Sequence, residues 1–193
     1  MANTGLLRRI VLVTCGVLAA AATTRAADPI ERFTAFAVDM SAQAGRNRAG
    51  TVDIVINRWS TDAERNRLRD ALREKGPESL LSALQDVKDP VGYIQTPGNV
   101  GYPLRFARQI PTSDGGRRIL LGTDRPVSFF EASNPGITSD YPFMVIDLTV
   151  NAKGEGQGRL LPLARVTAND DHVVDIENYT TEPVRLNAVR RVK

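Results

Sequence analysis

Phe143-Met144-Val145-Ile146-Asp147-Leu148-Thr149-Val150 is the stretch whose reading decides the fold class. Met144, Ile146, Leu148 and Val150 fall on one face at period 2, and Phe143, Val145 and Asp147 fall on the other. That alternation belongs to a β-strand, not a helix. The same period continues downstream. Asn151–Gly158 reads as a glycine-rich hairpin turn into a strand over Arg159–Val166. Asn169-Asp170-Asp171 then turns into His172–Asn178, and Tyr179–Pro183 turns into Val184–Val192.

Upstream the pattern is again β. Arg117–Thr123 follows the Pro111–Gly116 turn as the hairpin partner of a strand with Leu104, Phe106 and Ile110 on one face. Val91–Gln95 is a strand closed by Pro97-Gly98-Asn99, and Val127–Ala132 is a short one before the Asn134-Pro135-Gly136 loop. In Thr51–Trp59, Val52, Ile54 and Ile56 alternate with more polar neighbours. Ile30–Gln43 sets Phe33, Ala35 and Ala37 against Phe36, Val38 and Met40, a buried strand whose alanines also permit a helix, and Ala44–Ala49 is a turn.

One region changes period. Thr61-x-x-Glu64 is a capping box opening a helix over Ala63–Lys75, with Leu68, Ala71 and Leu72 on one stripe and Gly76 at its end. Pro77 starts a second short helix through Leu80, Leu81 and Leu84, ending near Lys88-Asp89-Pro90. The chain is therefore expected to be mainly β: an antiparallel barrel or sandwich with an inserted αα-hairpin at about residues 61–88. The hairpin is expected over a sheet edge or an open end, with Trp59 stapling it to the sheet.

Residues 1–27 read as a secretory signal peptide, and 28–193 as a single β-rich domain. Arg8 and Arg9 form a positive start, Ile10–Ala22 an apolar run too short to span a bilayer, and Ala22 or Ala26 a cleavage point. A twin-arginine signal lacks its flanking pattern. A lipidated Cys15 is opposed by the apolar run that continues past it. The expected localisation is exported, periplasmic or extracellular, with no transmembrane span in the mature chain.

Removing this segment changes the chemistry available. The 193-residue chain has 25 Lys and Arg against 22 Asp and Glu, but residues 1–27 hold Arg8, Arg9, Arg25 and no acid, which leaves 22 bases facing 22 acids. A nucleic-acid role based on net basicity fails. Cys15 is the only cysteine, so the mature domain can form no disulfide or thiolate site.

Arg105-Phe106-Ala107-Arg108-Gln109, Asp114-Gly115-Gly116-Arg117-Arg118-Ile119 and Thr123-Asp124-Arg125-Pro126-Val127-Ser128-Phe129 carry a resemblance. With Trp59-Ser60 and Thr180-Thr181-Glu182-Pro183-Val184-Arg185-Leu186, they resemble a family of exported bacterial proteins of unknown function. The resemblance implies a signal peptide and one small domain, and no activity.

No constellation of catalytic residues stands out. His172 is the only histidine, and strand alternation puts it opposite Asp171, Asp175 and Glu177, so no metal site is expected. No serine lies in a G-x-S-x-G turn. Gly154–Gly158 joins two strands and is not a phosphate loop. Paired carboxylates for glycoside hydrolysis have Asp39, Asp53, Glu131 and Asp147 to draw on, with nothing in the sequence that pairs them.

Two places remain as ligand-binding candidates. Asp147 lies in an apolar strand, where an unpaired carboxylate is costly. It either points into a cavity with Arg105 or Arg108 as countercharge, or forms a salt bridge on the solvated face of the sheet, and the second reading takes precedence. Thr123-Asp124-Arg125-Pro126 places the planar donor fork of Arg125 beside Phe129, Phe130 and Glu131. The plainer reading has Asp124 capping the turn and pairing with Arg125 while the phenylalanines enter the core.

Two functions follow. The preferred one is an exported, non-catalytic β-domain that binds a small ligand or an envelope protein, with no cofactor. The alternative is an envelope acid/base hydrolase using Asp147, Glu131 or Asp124, which requires two of these groups to converge in one pocket.

Overall fold

β1 (Glu31–Asp39) pairs antiparallel with β2 (Arg48–Ile56) on one side and with β10 (Val184–Val192) on the other. That double pairing leaves no edge, so the architecture is a barrel and not a sandwich. The computed structural model describes residues 30–39, 48–75, 77–98, 100–125, 143–162, 164–168, 174–178 and 184–192. Around the barrel the order is β1, β10, β7 (Glu155–Pro162), β6 (Met144–Val150), β5 (Arg117–Thr123), β4 (Tyr102–Pro111), β3 (Gly92–Gln95) and β2. Every neighbouring pair is antiparallel. Two insertions leave this meander: α1 (Asp62–Lys75) with α2 (Pro77–Gln85) between β2 and β3, and the two-stranded ladder of β8 (Ala164–Ala168) with β9 (Val174–Asn178) between β7 and β10.

Period-2 alternation turns one set of side chains inward. Phe33, Ile54, Leu121, Ile146, Leu148 and Leu186 are each fully buried in one apolar cluster that runs through the barrel. An eight-stranded barrel is just wide enough for side chains to fill its interior. Each such side chain contributes about 1.5–3 kcal/mol of burial.

The helices sit on the outer wall. Leu68, Leu72, Leu80 and Leu84 pack against Phe106, Phe143 and Val145, the outward residues of β4 and of the β6 region. With no edge to protect, the hairpin covers the outside of the sheet and not an edge or an open end as expected. Trp59 packs against the barrel's interior cluster and not in the cluster that holds the helices, so the staple expected between hairpin and sheet is not what it forms.

Several boundaries differ from the sequence reading, each for a local reason. β2 begins at Arg48, because Arg48 and Ala49 pair with Asp39 and Val38 where a turn was expected. The turn after β6 is only Asn151–Gly154, closed by Gly154 N–H to the Asn151 carbonyl at 2.9 Å. Gly156 and Gly158 belong to β7, where a Cβ on Gly158 would lie 2.5 Å from Leu148 Cδ2 and 2.7 Å from the Asp147 carbonyl oxygen. Glycine is there for close approach and not for turning. The strand expected over Arg159–Val166 divides: β7 stops at Pro162, which has no N–H to donate, and β8 joins a separate ladder.

Leu104 and Phe106 do not share a face. The β4–β5 register shifts between them, with Leu104 opposite Thr123 and Phe106 opposite Gly122. This bulge at Arg105 turns Leu104 inward and Phe106 out to the helices.

The two ends of the barrel differ. The hairpin end holds the tight turns after β4 and β6. The loop end holds the β1–β2, β3–β4 and β5–β6 connections and the β8–β9 insertion. The segments expected over Val127–Ala132, Asn134-Pro135-Gly136, Asn169–His172 and Tyr179–Pro183, and the 1–27 segment, lie outside the described residues.

Candidate functional site

At the loop end, Thr123 fixes the last turn of backbone before the β5–β6 connection. Its fully buried hydroxyl donates to the Arg125 carbonyl at 2.7 Å and accepts from Met144 N–H at 3.0 Å. Asp124 is thereby held against the β4 bulge, where Arg105 Nε donates to Asp124 Oδ2 at 2.9 Å. Arg105 Nη1 also donates to the Val87 carbonyl just past α2, at 2.7 Å. One guanidinium thus ties the barrel rim to the helices. Asp124 Oδ1 is buried with no hydrogen-bond partner. Arg125 is exposed, and its guanidinium stacks over the Tyr102 ring at 5.3 Å.

The structure changes the pairing expected for these residues. Asp124 binds Arg105, not Arg125, because the bulge brings Arg105 to the rim. Arg108 reaches Asp62 at the start of α1, at 3.1 Å, and is no countercharge to Asp147. Glu131, Phe129, Phe130 and His172 lie outside the described residues.

Asp147 sits on the outer face in the middle of β6, with its side chain only 6% exposed. Arg118 Nε donates to its Oδ1 at 2.8 Å, Arg118 Nη2 to its Oδ2 at 3.1 Å, and Arg159 Nη2 to Oδ2 at 3.0 Å. Burial opposes the charge, but the hydrogen bonds from Arg118 and Arg159 outweigh it and hold the carboxyl below its usual range. The salt bridge expected on the outer face is present, with different arginines from the two named for a cavity.

Asp147 and Asp124 are not a pair. Asp147 lies opposite Leu120 in the ladder. Asp124 is four residues farther along, roughly 13 Å at the usual rise of a strand. Each has its own arginines.

Sequence reading missed a polar cluster at the hairpin end. Arg117 Nη2 donates to Glu31 Oε1 at 2.7 Å and Arg117 Nη1 to Gln109 Oε1 at 2.7 Å, with Arg191 Nη1 at 3.6 Å from the same Glu31 oxygen. The Arg117 guanidinium lies 5.9 Å from the Phe33 ring centroid, over the end of the apolar core. The signal was phase: Glu31 alternates with Phe33, and Arg117 with Ile119, so both point the way the core does. Asp39 is a second in-phase acid, 2% exposed at the loop end.

Among the described residues no group of three or more His, Cys, Asp or Glu is placed to hold a metal ion, and no helix is long and apolar enough to cross a membrane. Compared with known protein families, curated proteins and solved structures, the chain matches none of them. The likeness to exported proteins therefore rests on the quoted residues alone.

Proposed function

We propose that this chain is an exported, non-catalytic β-barrel domain that binds a partner in the cell envelope through its surface and its loop end. The observation that supports this most is the packing of the barrel: between the charged residues at its two ends, the inward positions hold apolar side chains, from Phe33 through Ile146 to Leu186. Polar groups suited to recognition are instead at the rim, in the Arg105–Asp124 pair and the Arg125–Tyr102 stack. The hydrolase alternative needs two carboxylates converging in one pocket. Asp124 and Asp147 are separated and each is neutralised by arginine.

The test is made on the full chain produced in a bacterial host. A photo-crosslinking residue at Arg125 is expected to give one discrete adduct in the envelope fraction, on a product shortened after Ala22 or Ala26. Unprocessed chain in the cytoplasm would overturn the export reading. A processed product that crosslinks to nothing from Arg125 would overturn the loop-end part of the binding reading.

A further inference from the structure

We propose that the wall formed by β7, β10 and β1, on which no helix among the described residues packs, docks on a membrane surface carrying anionic lipid headgroups. This deepens the binding reading by naming the partner's chemistry. The outward side chains of β1 are Arg32, Thr34, Phe36 and Val38. Register places them beside β10: Arg32 opposite Val192, Thr34 opposite Arg190, Phe36 opposite Asn187 and Val38 opposite Arg185. Arg185 in turn faces Arg159 on β7, which faces Asp147 on β6. Among the described residues, five guanidiniums, of Arg32, Arg118, Arg159, Arg185 and Arg190, thus share one continuous face with three carboxylates, of Asp53, Asp147 and Glu155. Asp147 serves two of the arginines at once. Arg32 and Arg190 make no ion pair among the described residues.

Apolar side chains protrude among these charges. Five large hydrophobic residues are exposed among the described residues, and three of them, Ile30, Phe36 and Val192, are on this face. Ile30 is 52% exposed and Phe36 47%. The helix-covered side is different: Arg58 with Glu64, Arg65 with Asp62, Arg67 with Asp86 and Arg69 with Asp70 balance there, and the leucines are buried.

Cationic excess and protruding apolar side chains on a convex wall fit an anionic bilayer better than a protein partner, which would need a matching concavity. Guanidiniums bind phosphate oxygens with a planar donor fork. Aromatic and aliphatic side chains enter the headgroup boundary between them.

The test is co-sedimentation of the full chain with phosphatidylcholine vesicles and with vesicles that also contain phosphatidylglycerol, at low and high salt. Arg8 and Arg9 beside the apolar Ile10–Ala22 run add an anionic preference of their own, so what is read is the change that each substitution in the wall makes to the preference of the unaltered chain. We expect preference for the anionic vesicles, lost as salt screens the charge. Combining Arg32→Glu with Arg190→Glu is expected to remove roughly thirtyfold or more of that preference, since each base near the surface contributes about fivefold. Phe36→Ser, which leaves the charge intact, is expected to weaken binding to the anionic vesicles by roughly tenfold. Arg67→Glu on the helix side is expected to leave it unchanged. Equal binding of the unaltered chain to both vesicle types overturns the proposal. So does an Arg67→Glu loss as large as that of the double variant, or retention of the chain by soluble polyphosphate with none on vesicles. If the double variant does not fold, the Phe36→Ser and Arg67→Glu pair decides. Failure on vesicles with an adduct still formed from Arg125 overturns this proposal and leaves the binding reading intact.

Discussion

Glu31 and Arg117, 86 positions apart in the chain, meet at 2.7 Å across the hairpin end of the barrel. Glu31 opens β1 and Arg117 opens β5, strands on opposite sides of the barrel order, so their contact spans the mouth. The Glu31 side chain is 11% exposed and its Oε2 has no hydrogen-bond partner, so the pair is partly desolvated. Removing Glu31 alone leaves Arg117 over Phe33 with Gln109 as its remaining acceptor. Glu31→Ala is expected to cost about 2 kcal/mol, and Arg117→Ala a similar amount. The double variant is expected to lose less than the sum by about 1 kcal/mol, measured by denaturant unfolding in a double-mutant cycle. Strict additivity would show that the two side chains do not stabilise each other.

Asp147 is a carboxylate between two guanidiniums, and its two sides respond differently to mutation. Asp147→Asn keeps hydrogen-bonding capacity and removes the shared carboxylate from two arginines that water can reach, at an expected cost of about 1–2 kcal/mol. Replacing both Arg118 and Arg159 with Met strands the buried charge and is expected to cost more, about 3–5 kcal/mol. The pH dependence has a definite sign. The folded carboxyl titrates below its ordinary value, so its stabilisation is complete above about pH 4 and is lost as the pH falls through the depressed value. Asp147→Asn should therefore flatten the acid limb of the stability profile and leave its shape above pH 5 unchanged.

The parts of the fold set by local period and turn chemistry were legible in the sequence. Met144, Ile146, Leu148 and Val150 face inward as their alternation requires, and Thr61-x-x-Glu64 caps α1. Closure was not legible, because it depends on β1 meeting β10 across the whole chain. The bulge at Arg105 was equally hidden: one extra residue in β4 reverses the faces of Leu104 and Phe106 and sends Arg105 to Asp124. Glycine misled the reading of Asn151–Gly158, since turning and close packing use the same residue. Charge partners were the least legible, because Arg118 reaches Asp147 through ladder register and not through sequence proximity.

Gly158 offers a test of how closely β7 lies on β6. Its added Cβ would meet the Leu148 side chain, which can shift, and the Asp147 carbonyl oxygen, which belongs to the ladder and cannot. Gly158→Ala is expected to destabilise by about 1–3 kcal/mol, the usual range for overpacking. Adding Leu148→Val should recover only part of this, because the backbone contact remains. Full recovery, read from melting temperatures of the single and double variants, would show that the side-chain clash alone sets the cost.

The start of α1 supplies a prediction in which capping, ion pairing and acid sensitivity are linked. Thr61 Oγ1 accepts from Glu64 N–H at 3.2 Å, and Glu64 Oε2 accepts from Thr61 N–H at 2.7 Å, the reciprocal bonds of a capping box. Arg58 adds two bonds to the same carboxylate, at 2.9 and 2.8 Å, and a third to the Asp89 carbonyl at 3.0 Å, which joins the entry and exit of the helical insertion. The Arg58 hydrogen bonds do most to hold the Glu64 carboxyl down at about 2, with burial opposing and the Thr61 N–H assisting. A depressed folded value means the stabilisation is complete above about pH 4.5 and drains away between there and pH 2. Because the pair is partly solvated, its worth is nearer 1 kcal/mol than the full shift implies. Thr61→Ala and Glu64→Gln are each expected to cost about 1 kcal/mol at pH 7. Only Glu64→Gln should also shrink the loss of stability between pH 4.5 and 2, since only that change removes the titrating group. Equal acid sensitivity in the two variants, followed by helical circular dichroism during denaturation, would show that Glu64 does not couple α1 to pH.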